Sequence, residues 1–95
     1  MAQILNDTEI LNKVKSALGV TGDYQNDTLT IYIDDVKSFM KNAGVSDAVI
    51  CDVQNVGTIC RGVADLWNYG SGDTGLSEYF KQRVAQLALI SRGDE

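Results

Sequence analysis

Histidine is absent from this 95-residue chain, and so is proline. Without an imidazole there is no Ser-His-Asp constellation, no histidine general base and no histidine metal ligand. Cysteine occurs twice, at Cys51 and Cys60, which is too few for a four-ligand structural zinc site. On one continuous helix their separation would span roughly 13 Å, beyond the reach of about 7 Å that a disulfide allows. Free thiols acting as small apolar residues are expected instead. No apolar run approaches the roughly 18 residues of a membrane helix, and no signal-peptide pattern is present, so a soluble, intracellular chain is expected. Positive charge is also scarce, with 8 Lys and Arg against 13 Asp and Glu, a net charge of −5. Nucleic-acid binders draw much of their affinity from clustered Lys and Arg, so this balance argues against phosphate binding as the main activity. An acidic surface still lets DNA pass close by without adhering.

What is present is mostly helical periodicity. Apolar residues make up 44% of the chain, an ordinary share for a globular protein, and the length suits one domain over residues 1–95. In the first segment Asn6, Asp7 or Thr8 offers a cap. Ile10, Leu11, Val14, Ala17 and Leu18 then form one stripe, and Gly19 marks a stop. The second segment is opened by Asn26 or Asp27 and closed by Gly44. It places Leu29, Tyr32, Ile33, Val36, Phe39, Met40 and Ala43 on one side. Its start, Thr28 to Ile33, would also suit a strand, but the period continues through Lys41 and favours helix.

The third segment begins at Ser46 and Asp47 with a short turn and becomes a main helix near Asp52, ending at Tyr69. Val53, Val56, Cys60, Val63, Ala64 and Trp67 define its stripe, widened by Ile59 and Leu66, and a face that wide implies several neighbours. Gly57 and Gly62 lie inside it, where glycine costs about 1 kcal/mol against alanine and permits close helix approach. The fourth segment starts at Ser77 as N-cap, with Leu76 before it as a staple residue. Phe80, Val84, Leu87, Ala88 and Ile90 supply its buried face. Arg92 suits the helix end and Gly93 its stop. The fold class is therefore all-α, a compact bundle of about four helices with short loops.

Gly70-Ser71-Gly72-Asp73-Thr74-Gly75 spells G-x-G-x-x-G, the dinucleotide-binding fingerprint. That fingerprint functions between a buried strand and a helix within a βαβ unit. Here a helical stripe precedes it, one helix follows, and Asp73 sets a negative charge where a pyrophosphate would lie. The stretch reads as a tight turn between helices, and no nucleotide is expected. Arg92-Gly93-Asp94 matches the integrin tripeptide by chance. Asp34-Asp35 and Asp65 could be imagined as paired carboxylates for acid–base work, but Asp34 and Asp35 suit a solvated helix face better. Trp67 and Tyr69 fit either a core position or the aromatic anchor of an oligomer interface.

Taken together, the first helix "ILNKVKSALGV", the segment "DTLTIYIDDVKSFMKNAGV" and above all "GVADLWNYGSGDTGLSEYFKQRVAQL" resemble the small phage head–tail connector, or adaptor, proteins. The resemblance is to the versions found in phages and prophages of Gram-positive bacteria, and it covers most of the chain. The resemblance implies a helical subunit of a homo-oligomeric ring, usually dodecameric, between the portal and the next neck or tail-completion protein. DNA would pass through the lumen without sequence-specific binding. It implies a structural protein that is no enzyme, with no catalytic residues, cofactor, metal or membrane partner. Assembly would take place in the host cytoplasm and end in the virion neck. Carried over by position, Trp67, Tyr69, Gly70, Gly72, Asp73 and Gly75 become candidates for subunit or neighbour contacts. Phe80, Arg83, Ile90, Arg92 and Glu95 become candidates for docking to the portal.

Two other classes compete. A small helical DNA-binding or regulatory module would carry Lys and Arg on the exposed face of one recognition helix. In this chain Lys13, Lys15, Lys37, Lys41, Arg61, Lys81, Arg83 and Arg92 are spread over four helices with acids among them. An enzyme would need a nucleophile and base, or a metal cluster, and the sequence offers neither.

Overall fold

A computed structural model describes residues 3–69 and 76–93. Among these, helices follow one another without a strand: α1 (Asp7–Leu18), α2 (Asn26–Asn42), α3 (Asp47–Ile50), a 3₁₀ turn (Val53–Asn55), α4 (Val56–Tyr69) and α5 (Glu78–Gly93). The all-α expectation holds, with four long helices and the short α3 as the expected turn.

Local chemistry explains most boundaries. The Asn6 side chain accepts the Glu9 N–H at 2.8 Å while the Glu9 carboxylate accepts the Asn6 N–H at 3.0 Å, a reciprocal capping box. Gly19 ends α1 with φ of 71°, a left-handed conformation that glycine adopts without steric cost. At α2 the expected cap is displaced by one residue. Gln25 holds the N-cap position without a side-chain bond, and Asn26 is already helical. Ser46 caps α3, and Asp52 caps the 3₁₀ turn by accepting the Gln54 N–H at 2.9 Å. The main helix thus begins at Val56, after the Asp52 turn rather than at it.

Helix α4 is central, packing on α2, α1 and α5. Its most buried positions are Ile59, Gly62, Val63 and Leu66, spaced by three and four residues. Val53, Val56, Cys60 and Trp67, expected at the centre of the stripe, are half-buried on its flank. The width of the apolar face made the true centre ambiguous from periodicity alone. At Gly62 a Cβ would lie 2.7 Å from a Phe80 ring carbon and 2.9 Å from a Val36 methyl, so the absent side chain lets α4 sit tightly between α2 and α5. Gly57 has nothing within 4 Å of that position and permits no such approach.

Ile10, Val14, Leu29, Val36, Met40, Ile50, Ile59, Val63, Phe80 and Leu87 form the heart of one contiguous cluster. Ala17 and Ala43, placed on apolar stripes by the sequence pattern, are exposed. On α5 the inward register runs Phe80, Val84, Leu87, Ser91, so Ser91 is buried and Ile90 is not. Ser91 Oγ accepts the Ser46 N–H at 3.0 Å, tying the end of α5 to the start of α3. A second tie was not anticipated. Residues 3–5 run antiparallel to residues 51–53, with Leu5 N–H to Cys51 C=O and Val53 N–H to Gln3 C=O both at 2.8 Å.

Candidate functional site

The junction of α4 and α5 carries most of the residues singled out by the sequence, and two side chains build it. Asp65 is buried, and its Oδ2 accepts the backbone N–H of Ser77 at 3.0 Å. Ser77 in turn caps α5, its Oγ accepting the Phe80 N–H at 3.2 Å. The other Asp65 oxygen lies 3.5 Å from Arg61 Nε, one helical turn back. A buried carboxylate is costly unless its oxygens are satisfied, and here a peptide N–H and a guanidinium share it. Asp65 is therefore a structural clip, the one role the sequence pattern did not suggest for it. Three residues of helical α4 separating Asp65 from Arg61 were the only available signal.

Arg61 also covers an aromatic ring, its guanidinium carbon lying 5.4 Å from the Tyr79 centroid. Gln54, Gly57, Thr58, Arg61, Tyr79, Phe80 and Arg83 line a notch of about 270 Å³ at this point. Across the helix pair, Val36, Phe39, Leu66 and Leu76 contribute to a groove of about 560 Å³ whose rim includes Asp35, Ser38 and Asn42. Trp67 meets Tyr32 of α2 edge-on, with ring centroids 6.4 Å apart. It is half-buried against the core, between the two roles its sequence position allowed.

Other chemistry is sparse. Cys51 and Cys60 are free thiols, on α3's C-terminal cap and on α4 rather than on one helix. Burial pushes the Cys60 thiol above its ordinary range, against smaller opposing effects of a backbone hydrogen bond and Lys13. Among the described residues no group of three or more Cys, Asp and Glu gathers to hold a metal ion. Basic side chains are dispersed, and half of the eight are paired among the described residues: Lys15 with Asp23, Lys37 with Asp7, Lys41 with Asp47 and Arg61 with Asp65. A recognition helix with a cationic exposed face is not what these helices present.

A family model of phage gp6-like head-tail connector proteins matches residues 8–91. The chain belongs to that family. No curated protein and no solved structure matches it. The match begins one residue after the start of α1 and ends two residues before the end of α5, so it takes in every helix of the connector. Membership makes it a structural phage protein of the head–tail junction. No helix among the described residues is long and apolar enough to cross a membrane.

Within the connector the sequence-named candidates separate. Gly70, Gly72, Asp73, Gly75, Glu95 and the side chain of Tyr69 lie outside the described residues. Their flanks are helical on both sides, α4 before and α5 after, which is not the strand-to-helix setting of a nucleotide fingerprint. The other portal-docking candidates do not share one surface. Phe80 is fully buried in the core and tilts against Phe39 at 5.6 Å, so it anchors α5 and presents nothing outward. Arg83, half-buried, and Ile90, exposed, lie on one side of α5. Arg92 is exposed but roughly 200° around the helix from Ile90, on another side.

Proposed function

We propose that this connector is the repeating subunit of a homo-oligomeric ring that continues the DNA channel from the portal toward the tail. The family match over residues 8–91 carries this reading. The surface chemistry is compatible with it. A net charge of −5 lets the phosphate backbone move past without sustained attraction. The work is mechanical, performed by complementary surfaces rather than by bond making, and a dodecamer is the expected stoichiometry.

Contacts to neighbouring proteins are assigned to two regions. The corner formed by Trp67, Tyr69 and the glycine stretch Gly70, Gly72, Asp73 and Gly75 is the subunit or neighbour surface. The end of α5, with Arg92, and the tail residue Glu95 are assigned to portal docking. Phe80 supports that helix from within. The opposite end of the ring receives the next neck or tail-completion protein.

Negative-stain electron microscopy of the purified chain, alone and mixed with the portal ring of the same phage, tests this directly, together with mass measurement in solution. Rings with a central channel, or an added layer of density beneath the portal, are expected. A chain that stays monomeric and never joins the portal would overturn the reading.

A further inference from the structure

Helix α5 is apolar on two sides, and only one of them is used by the core. Phe80, Val84 and Leu87 face inward, while Tyr79 is 66% exposed, Leu89 65% and Ile90 49%. These three account for half of the large apolar side chains exposed among the described residues, the others being Ile4, Tyr24 and Ile31. Between Tyr79 and Ile90 the same outer side presents Gln82, Arg83 and Gln86 and no carboxylate. Arg83 bonds to Gln86 Oε1 at 3.0 Å and has no acidic partner among the described residues.

The outer side of α2 is its counterpart. Asp27, Ile31, Asp34 and Asp35 are exposed on adjacent turns, with Ile31 60% exposed among the acids. None of these carboxylates meets a cation among the described residues. At helical rise the α5 stripe from Tyr79 to Ile90 is about 16 Å long and the α2 stripe from Asp27 to Asp35 about 12 Å, so the shorter acidic stripe fits within the longer one. One is apolar with a cation, the other apolar with anions.

We infer that the outer face of α5 in one copy docks on the outer face of α2 in the next copy. Tyr79, Leu89 and Ile90 pack around Ile31, and Arg83 pairs with Asp34 and Asp35. The two faces differ, so the contact is heterologous. Repetition of such a contact closes a ring when its rotation is right, whereas a contact between like faces would stop at a dimer. This assignment rests on the ring reading above and names its subunit interface. Charge complementarity fixes register and direction around the ring, while the aliphatic and aromatic side chains contribute the buried apolar area.

The test is a charge swap. Wild type, Arg83→Glu, Asp34→Lys and the double variant are compared by sedimentation equilibrium, and by electron microscopy with the portal ring. Asp34 is exposed and Arg83 half-buried beside the notch, so circular dichroism checks that each variant keeps the wild-type fold. Should either single variant misfold, Tyr79→Ser and Ile31→Ser replace it, each expected to weaken association. Each single charge reversal should weaken self-association by about tenfold or more, since it sets like charges together. The double variant should recover much of the lost association, because positions 83 and 34 again carry opposite charges, although Asp35 keeps its sign. Single variants that assemble as wild type, or a double variant that is not rescued, overturn the interface while leaving the ring intact. An Arg83→Glu chain that still self-associates but leaves the portal also overturns it, assigning the face to the portal instead. A wild type that assembles neither alone nor on the portal removes both the ring reading and this interface.

Discussion

Replacing Gly62 by alanine sets two familiar effects against each other at one site. In a helix interior alanine is favoured over glycine by about 1 kcal/mol. Against this, the added Cβ would sit 2.7 Å from Phe80 Cε1 and at 2.9 and 3.0 Å from the two Val36 methyls. Both neighbours are fully buried, and valine's branched side chain has little rotamer freedom in a helix, so neither yields cheaply. Overpacking of this kind costs about 1–3 kcal/mol, and contact with two fixed side chains points to the upper end. The net expectation is a loss of about 2 kcal/mol, a fall in Tm of roughly 8–16 °C for a domain of this size. Gly57→Ala is the internal control, because its Cβ meets nothing within 4 Å. It should stabilise by up to about 1 kcal/mol. Urea denaturation followed by circular dichroism reads both. A double-mutant cycle with Val36→Ala adds a second check, since removing the methyls should recover part of the Gly62→Ala loss as a coupling of about 1–2 kcal/mol. Gly62→Ala as stable as wild type would refute the close α2–α4–α5 crossing.

Three further expectations concern the α4–α5 corner and the thiols. Asp65→Ala should cost about 1–3 kcal/mol by leaving the Ser77 N–H without its acceptor, and Ser77→Ala about 1 kcal/mol; hydrogen exchange should quicken first in the opening turn of α5. Trp67→Ala should destabilise by about 2 kcal/mol, less than the 3–5 kcal/mol of a fully buried tryptophan; differential scanning calorimetry measures it, and unchanged melting with lost assembly would make Trp67 purely an interface residue. Because the folded Cys60 thiol titrates above its ordinary value of 9.0, the native state holds its proton where the unfolded chain has lost it. Stability should therefore be intact below about pH 9 and decline as pH rises through the folded thiol's range. Cys60→Ala should remove that part of the decline in paired denaturation curves, and iodoacetamide should label the native thiol slowly at pH 8.

The helices were legible because their ends carry explicit chemistry. Asn6, Gly19, Ser46 and Ser77 each sit at the boundary that the cap and stop rules assign them. What periodicity could not resolve was rotation about a helix axis. On α4, apolar residues cover so wide an arc that Ile59 and Val63 could not be ranked above Cys60 and Val56. On α5, Ile90 fits the apolar period but falls outward, and a serine takes the inward place because Ser46 across the fold offers it a hydrogen bond. The pairing of residues 3–5 with 51–53 was invisible for a different reason: an isolated bridge between distant segments leaves no local pattern. Of the residues named for a site, the burial of Phe80 and the clip formed by Asp65 depended on long-range packing and left no local pattern.

That clip has a consequence for how the chain can change. Because Asp65 grips the N–H of Ser77, the residue that caps α5, from within α4, the angle between the two helices is spanned by a splint twelve positions wide in sequence and one hydrogen bond long. The contact is made by residues of the two helix ends themselves. Substitutions, insertions or a grafted tag between Tyr69 and Leu76 should leave the helical frame in place, and the corner becomes a port at which new surface can be added without redesigning the fold.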